Sequence, residues 1–441
     1  MRKRKQRLPE PCESITVGSL VHGGRCVAHR DGKAVFIDGA LPGEEVSFAY
    51  LATHRNFDEG RVTGIIQPSP ERVEPRCAHF GVCGGCSLQH MAAGAQILAK
   101  QAMLLDNLQR IGKVAPAAVL APVTGPVWGY RTRARLGVRY VPAKGRVLVG
   151  FREKRTSYIA DLRRCEVLHP SVGGSLEALA RLIGALEART RIPQIEVAAA
   201  GTTTALVFRH LDPLTEADRD RLQRFAEQYG LHLYLQPAGP DTVELLWPER
   251  SRLSYVLPAQ DVELQFRPTD FTQINPDINR QIVDRVLELL EPDAGDAVLD
   301  LYCGLGNFTL PLARRAAAVT GIEGDPGLIS RARENAVLNR IDNVTFHAAD
   351  LAADNRGARW AGEGYDKVLL DPPRSGAPAV LDILGNIRPR RIVYVSCHPG
   401  SLARDAGRLV HEFGYRLEQA GVMDMFPHTA HVESIVLFER G

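Results

Sequence analysis

The chain has 441 residues, 45% of them hydrophobic, and 54 Lys and Arg stand against 51 Asp and Glu for a net charge of +3. That is enough apolar content to build cores for two or three domains. No run of 18 apolar residues occurs, which excludes a membrane-spanning helix, and the near balance of charge means that only local patterns can argue for a nucleic-acid partner.

The start, MRKRKQRLPEP, is basic but runs into Pro9 and Glu10 without an apolar stretch, so it does not read as a secretory leader. Its KRKQR suits phosphate binding, although such tails are often only solvated. Eight unevenly spread cysteines are no disulfide framework, and the expected setting is a reducing cytoplasm. Residues 10–70 hold short alternating runs (ITVGSLV, KAVFIDG, EEVSFAYLA, EGRVTGIIQ) broken by Gly and Pro-Gly turns, the pattern of a small antiparallel, OB-like barrel.

After the linker SPERVEPRC comes RCAHFGVCGGCS (76–87), which places Cys77, Cys83 and Cys86 within ten residues. The spacing C-x5-C-x2-C is one thiolate short of the four that tetrahedral zinc or an iron–sulfur cluster takes. Residues 75–261 mix strand-like and helical pieces as an α+β domain, with one amphipathic helix over 92–112. In YRTRARLGVRY (130–140), Arg131, Arg133, Arg135 and Arg139 share one face of a strand with no acid among them, an expected RNA-facing stripe.

From 262 the apolar runs AVLDLYC, AVTGIEG, NVTFHAAD, KVLLDPP and RIVYVSC alternate with helical stretches, which specifies a Rossmann-like α/β domain over 262–441 with a parallel sheet. Ligands of such sheets lie off the carboxyl ends of the strands, and the polar motifs fall there. Gly304 and Gly306 follow the first strand, Glu323 ends the second where an acid can hold ribose hydroxyls, and Asp350 ends the third where a carboxylate can accept from an adenine amino group. No full G-x-G-x-x-G is present, so the set describes an adenosine site without a pyrophosphate, which S-adenosylmethionine fits best. Cys397 ends the fifth strand beside Ser396, His398 and Pro399, the setting of a turn and a nucleophile, whereas Cys303 reads as a packing residue. Glu433 opens the last apolar run as a candidate base, and His428 and His431 read as structural. A thiolate and a carboxylate are what methylation at carbon-5 of a pyrimidine needs: attack at carbon-6 makes carbon-5 electron-rich, and a base then removes its proton.

FTQIN (271–275), LDLYCGLGNF, LLDPPRSG, VYVSCHP and FPHTAHVES, in this order, resemble the RNA uracil-C5 methyltransferases over nearly the whole chain. HFGVCGGCSLQH and the N-terminal barrel resemble the bacterial branch that acts on 23S ribosomal RNA, which carries a TRAM barrel and a 4Fe-4S cluster. The resemblance implies Cys397 as nucleophile and Glu433 as base. It implies Gln273, Tyr302, Asn307, Glu323, Asp350 and Asp371 as S-adenosylmethionine contacts, and Cys77, Cys83, Cys86 and Cys165 as cluster ligands. The cluster is then expected to staple the central domain and position RNA, well away from the methyl chemistry, and helix 92–112 to pack on the catalytic domain. A flipped-out uridine in a loop or single strand is the expected substrate, with no obligate protein partner and a monomeric enzyme. Tyr302, Asp350 and DPPR stand where the family can carry Phe, Asn and DPAR. A transfer-RNA uracil-C5 enzyme, a cytosine-C5 enzyme and a non-catalytic RNA-binding iron–sulfur protein are the alternatives. The fourth-strand motif has no Cys for the cytosine reaction, and intact Cys397 and Glu433 speak against a non-catalytic role.

Overall fold

The computed structural model describes residues 8–21 and 23–441, so the basic stretch KRKQR lies outside the described residues. No helix among the described residues is long and apolar enough to cross a membrane.

The N-terminal strands Cys12–Thr16, Leu20–Val21, Arg25–Arg30, Lys33–Asp38, Glu45–Thr53 and Phe57–Gln67 form one six-stranded sheet. It is not wholly antiparallel as expected, because Lys33–Asp38 pairs parallel with the first half of Phe57–Gln67. That strand is long enough, at eleven residues, to serve a second neighbour, and register shifts along its pairing with Glu45–Thr53 bend the ladder. The central sheet contains Arg133–Val141, Arg146–Gly150, Gln194–Ala200, Thr203–Arg209, His232–Gln236 and Glu244–Trp247. The helices Leu176–Gly184 and Glu216–Tyr229 contribute Leu176, Leu179, Ile183, Leu222, Phe225 and Ala226 to its core.

The third sheet, of eight strands, is built from β1 (Ala297–Leu301), β2 (Ala318–Glu323), β3 (Val344–Ala348), β4 (Lys367–Leu370), β5 (Arg391–Ser396), β6 (Tyr415–Met423) and β7 (Glu433–Arg440), with the short strand Ala118–Val119 parallel to β6 at its edge. Their spatial order is 3-2-1-4-5-7-6. β1 to β5 are parallel, and their central residues are apolar and buried because helices cover both faces. β7 departs from this pattern: it inserts between β5 and β6 and runs antiparallel to both. The reversal brings the start of β7 to the carboxyl end of β5, with Ser396 opposite Ser434.

Two further pieces pack on this sheet. The hairpin Leu253–Leu257/Val262–Phe266 shares the core of Val298, Phe308 and Ile329, so the chain joins the catalytic body before residue 262. The helix α1 (Ala93–Asn107) buries Gln96, Ile97, Lys100, Met103 and Leu104. Its apolar residues join a core with Leu402, Ala420 and Val422. Ile97, Met103 and Leu104, at i, i+6 and i+7, make that face, and two polar residues, Gln96 and Lys100, interrupt it.

Candidate active site

At the end of β1 the backbone turns through Tyr302, Gly304 and Gly306, all at positive φ (68°, 56° and 97°). Gly306 sits where a Cβ would meet Leu310 at 3.2 Å, and Tyr302 is held there by its N–H bond to the Ile322 carbonyl at 2.8 Å. Glu323, closing β2, accepts from Gly304 N–H at 3.2 Å and from Asp325 N–H at 3.0 Å. Asp350 lies just past β3 and accepts from Ala352 N–H at 2.9 Å. Asp371 follows β4 directly, its N–H bonded to the Leu301 carbonyl at 3.3 Å. Glu323, Asp350, Asp371 and the glycine turn therefore share one end of the sheet.

Asn307 belongs to the same turn, but its amide is largely spent within the protein. Its Oδ1 accepts from Tyr255 Oη at 2.8 Å and from Asn279 Nδ2 at 2.9 Å, and its Nδ2 donates to Asn279 at 3.0 Å. One N–H is left for a ligand. Gln273 lines a cavity with Tyr255 and Asn279, which connects it to the turn through these two neighbours. Asp300 escaped the sequence reading: fully buried in β1, it accepts from Thr309 Oγ1 at 2.6 Å, and its other oxygen has no partner. Burial pushes Asp300 up to about 7, with Asp371 and Glu323 adding to it. Loss of water pushes Asp371 to about 7 as well, again raised further by Glu323. Cys303 is a packing residue as expected, its sulfur lying under Gly321, where a Cβ would come within 3.0 Å of it.

Cys397 ends β5 and lines a cleft with Arg374, Phe426, Val432 and the glycine-rich loop 84–87. The turn after it is fixed by His398, whose Nδ1 accepts from Ser401 N–H at 3.1 Å and caps the helix Pro399–His411. Desolvation pushes the Cys397 thiol up to about 11; Glu433 and Asp371 add to the rise and Arg374 opposes it. Glu433 is pushed up to about 8, first by loss of water and then by Asp371, against the pull of Lys100 and Arg374. A thiol, two carboxylates and an arginine thus face one another at the carboxyl edge.

The Arg stripe divides. Arg133 is a structural residue, its guanidinium donating to the Pro268 carbonyl at 2.7 Å and to that of Asp270. Arg131 stands over the Phe151 ring at 5.5 Å and lines the Cys397 cleft. Arg135, bonded to Glu196 at 3.0 Å, and exposed Arg139 line a groove on the central domain.

Cys77, Cys83, Cys86 and Cys165 line one cavity with Phe80, Phe151 and Leu162. Burial pushes Cys83 to about 11 and Cys86 to about 12, and the neighbouring Cys165 and Cys77 add to both rises. Yet no three Cys, His, Asp or Glu among the described residues are grouped to hold a metal ion. A zinc ion would need its sulfurs at about 2.3 Å from one centre. The cluster loop is not remote from the methyl chemistry, contrary to expectation: Cys86 and Cys397 border the same cleft. The cause is tertiary, because Ser87 and Leu88 N–H both bond to the His428 carbonyl in the segment that leads to Glu433.

The strand order, the glycine turn and the acids after β2 and β3 define a class I, S-adenosylmethionine-dependent methyltransferase. A family model described as tRNA (Uracil-5-)-methyltransferase matches residues 201–441, more than half of the chain, and the chain belongs to that family. It is 54% identical over 441 residues to the 23S rRNA (uracil(1939)-C(5))-methyltransferase RlmD of Alkalilimnicola ehrlichii, covering 100% of this chain and 99% of the relative. With the protein of the same name from Nitrosococcus oceani it shares 56% identity over 440 residues, 99% of this chain and 98% of the other. The crystal structure of Pyrococcus abyssi tRNA (uracil-54, C5)-methyltransferase in complex with S-adenosyl-L-homocysteine superposes with a TM-score of 0.74 at 24% identity, covering 96% of this chain and 100% of that one. This last likeness is one of fold.

Proposed function

We propose that the chain transfers a methyl group from S-adenosylmethionine to carbon-5 of a uridine in 23S ribosomal RNA, with uridine 1939 the position in its relatives' names. The observation that carries the chemistry is the register of β5 and β7: Ser396 stands opposite Ser434, which brings the adjoining Glu433 to the strand end that carries Cys397.

Bound S-adenosylmethionine supplies an electrophilic methyl group on a sulfonium. Glu323 and Asp350 hold its adenosine end, and Asp371, the Tyr302–Gly306 turn and Gln273 its amino-acid end, while Asn307 orders the turn through Asn279 and Tyr255. Cys397 adds through sulfur to carbon-6 of a uridine swung out of its stack. Its proton must first pass to water, since the thiol of the free protein is pushed up to about 11. Carbon-5, made electron-rich, takes the methyl group as its bond to the sulfonium breaks and S-adenosylhomocysteine is left. Glu433 then accepts the proton of carbon-5, the carbon–hydrogen electrons restore the ring double bond, and the carbon–sulfur bond breaks to release the Cys397 thiolate. Arg374, at 3.2 Å from His431 on the cleft rim, offers positive charge to the enolate oxygen.

Cys77, Cys83, Cys86 and Cys165 are the ligands of a 4Fe-4S cluster in this reading. Four cysteines lining one partly apolar cavity support it. The cluster would cross-link the loop 77–86 to Cys165. The ribosomal RNA for which the relatives are named puts the activity in the cytoplasm in this reading.

The test uses RNA carrying 5-fluorouridine at the target. Fluorine cannot leave as a proton does, so the enzyme stalls as a covalent adduct that survives a denaturing gel. An adduct that needs S-adenosylmethionine and disappears in Cys397→Ala supports the mechanism. Its absence with wild-type protein rejects it.

A further inference from the structure

On α1, Ile97, Met103 and Leu104 face the catalytic body, and Lys100 lies among them with only 1% of its surface exposed. A lysine in this position loses its water, and a hydrophobic residue of similar volume would fill the stripe with no such cost. Its ammonium is instead clamped at both sides: it donates to Asp424 Oδ1 at 2.7 Å and to the Phe426 carbonyl at 3.0 Å. Asp424 directly follows Met423, and Met423 is the register partner of Glu433 across β6 and β7. Phe426 begins the segment that ends at Glu433. The ammonium is thus fastened to both chain ends from which the base is hung.

We propose that Lys100 is a positioning residue for the proton-abstraction step, holding the root of β7 in place and setting a buried positive charge behind Glu433. The inference rests on the reading of Glu433 as the base. Charged and titratable groups around the carboxylate are Asp371 past β4, Cys397 past β5, Arg374 on the rim and Lys100 from α1. Around Lys100 are Asp424, Glu433 and the imidazole of His428. Asp371 and Glu433 carry like charge, and Arg374 sits on the solvent side, where the incoming RNA competes for it. Lys100 is the cation that RNA cannot reach. Loss of this charge raises the pH at which Glu433 ionises, and each unit of that rise lowers its ionised fraction about tenfold below the midpoint.

The experiment is single-turnover methyl transfer to ordinary, unfluorinated RNA across a range of pH, reading released 5-methyluridine and the methylated protein–RNA adduct on a denaturing gel. In Lys100→Met the adduct should persist at neutral pH, with product release slowed about tenfold or more. Raising the pH should restore release, with its midpoint displaced upward. Lys100→Arg keeps the charge and should keep the wild-type midpoint. Lys100→Gln can still donate to Asp424 and decides the matter if Lys100→Met does not fold; it should show the same upward displacement. A rate lowered equally at every pH, with an unmoved midpoint, would mean a purely structural lysine and overturn the proposal. Failure of the function itself is read separately, on wild-type protein, as absence of any adduct with 5-fluorouridine RNA.

Discussion

The N–H of Ser87 donates to the carbonyl oxygen of His428 across 2.9 Å, and Leu88 makes a second bond to the same oxygen at 3.0 Å. His428 itself sits at positive φ, stacks on Trp128 with ring centroids 3.9 Å apart, and receives Gln96 Oε1 on its own N–H at 2.8 Å. The cysteine loop and the segment carrying Glu433 are therefore one hydrogen-bonded unit. Each of the two shared bonds is worth about 1 kcal/mol. With the proposed 4Fe-4S cluster in place, stripping it with a chelator, or Cys86→Ala, should free the loop and speed amide exchange at Ser87, Leu88 and residues 428–433 about tenfold or more. Methyl transfer should fall with it, while S-adenosylhomocysteine binding at the far end of the cleft holds. Unchanged exchange at 428–433 would show that the two segments are independent.

Cys397 gives a prediction with a definite sign. Its thiol is raised to about 11, and two of the causes are negative neighbours, Glu433 and Asp371, so the free protein is protonated there at neutral pH. Iodoacetamide labelling of the Cys397 peptide should be slow at pH 7 and climb steadily towards pH 11. Glu433→Gln removes the larger of the two charges and should move the profile to lower pH; Arg374→Ala removes the opposing cation and should move it higher. Peptide-resolved mass spectrometry reads both shifts. A profile unaffected by either change would mean that burial alone sets the thiol.

The cofactor end titrates nearer neutrality. Asp300 and Asp371 both lie at about 7, so they are largely neutral at pH 6 and largely ionised at pH 8. A ligand carrying ammonium and sulfonium charges prefers the ionised forms. S-adenosylmethionine affinity, followed by titration calorimetry, should therefore rise with pH through 7, by up to about tenfold per unit for each carboxyl involved. Asp371→Asn should weaken binding and flatten that rise. A wild-type affinity independent of pH would place both carboxyls outside the ligand's field.

The parts of this site that local sequence reveals are those set by local chemistry. Glycines 304 and 306 announce the turn at the end of β1, and Glu323, Asp350 and Cys397 stand where parallel strands run out. Strand direction is different: the apolar run of β7 reads the same in either direction, and only its pairing with β5 turns Glu433 towards Cys397. Arg133 shares its strand face with Arg135, yet the segment 268–270 folds over one and not the other. The nearness of Cys86 to Cys397 depends on a contact between residues more than 300 positions apart. Lys100 did leave a trace, as a lone cation on the apolar stripe of α1, but an amphipathic pattern alone does not tell a buried lysine from one that snorkels to water.

Adjoining clefts on the surface lead to Cys397 and offer RNA a path. The Cys397 cleft shares the loop 84–87 with a second cleft carrying Arg25, Lys154 and Arg155, and that cleft shares Phe151–Glu153 with the groove of Arg135, Arg139 and Tyr158. Tyr158 is 71% exposed at the rim, a platform on which a base can stack. Gly137 allows Ile159, the neighbour of Tyr158, to pass close to the strand. In fluorescence anisotropy with a single-stranded 23S fragment, Tyr158→Ala should cost about 1–3 kcal/mol of affinity with little change in salt dependence. Arg139→Ala should weaken binding uniformly across sequences and reduce the salt slope by about 1. Neither residue touches the reacting atoms, so turnover at saturating RNA should stay at the wild-type rate. If both variants bind RNA as tightly as wild type, the flanking strand leaves the protein before the central groove, and the barrel side of the second cleft is its path.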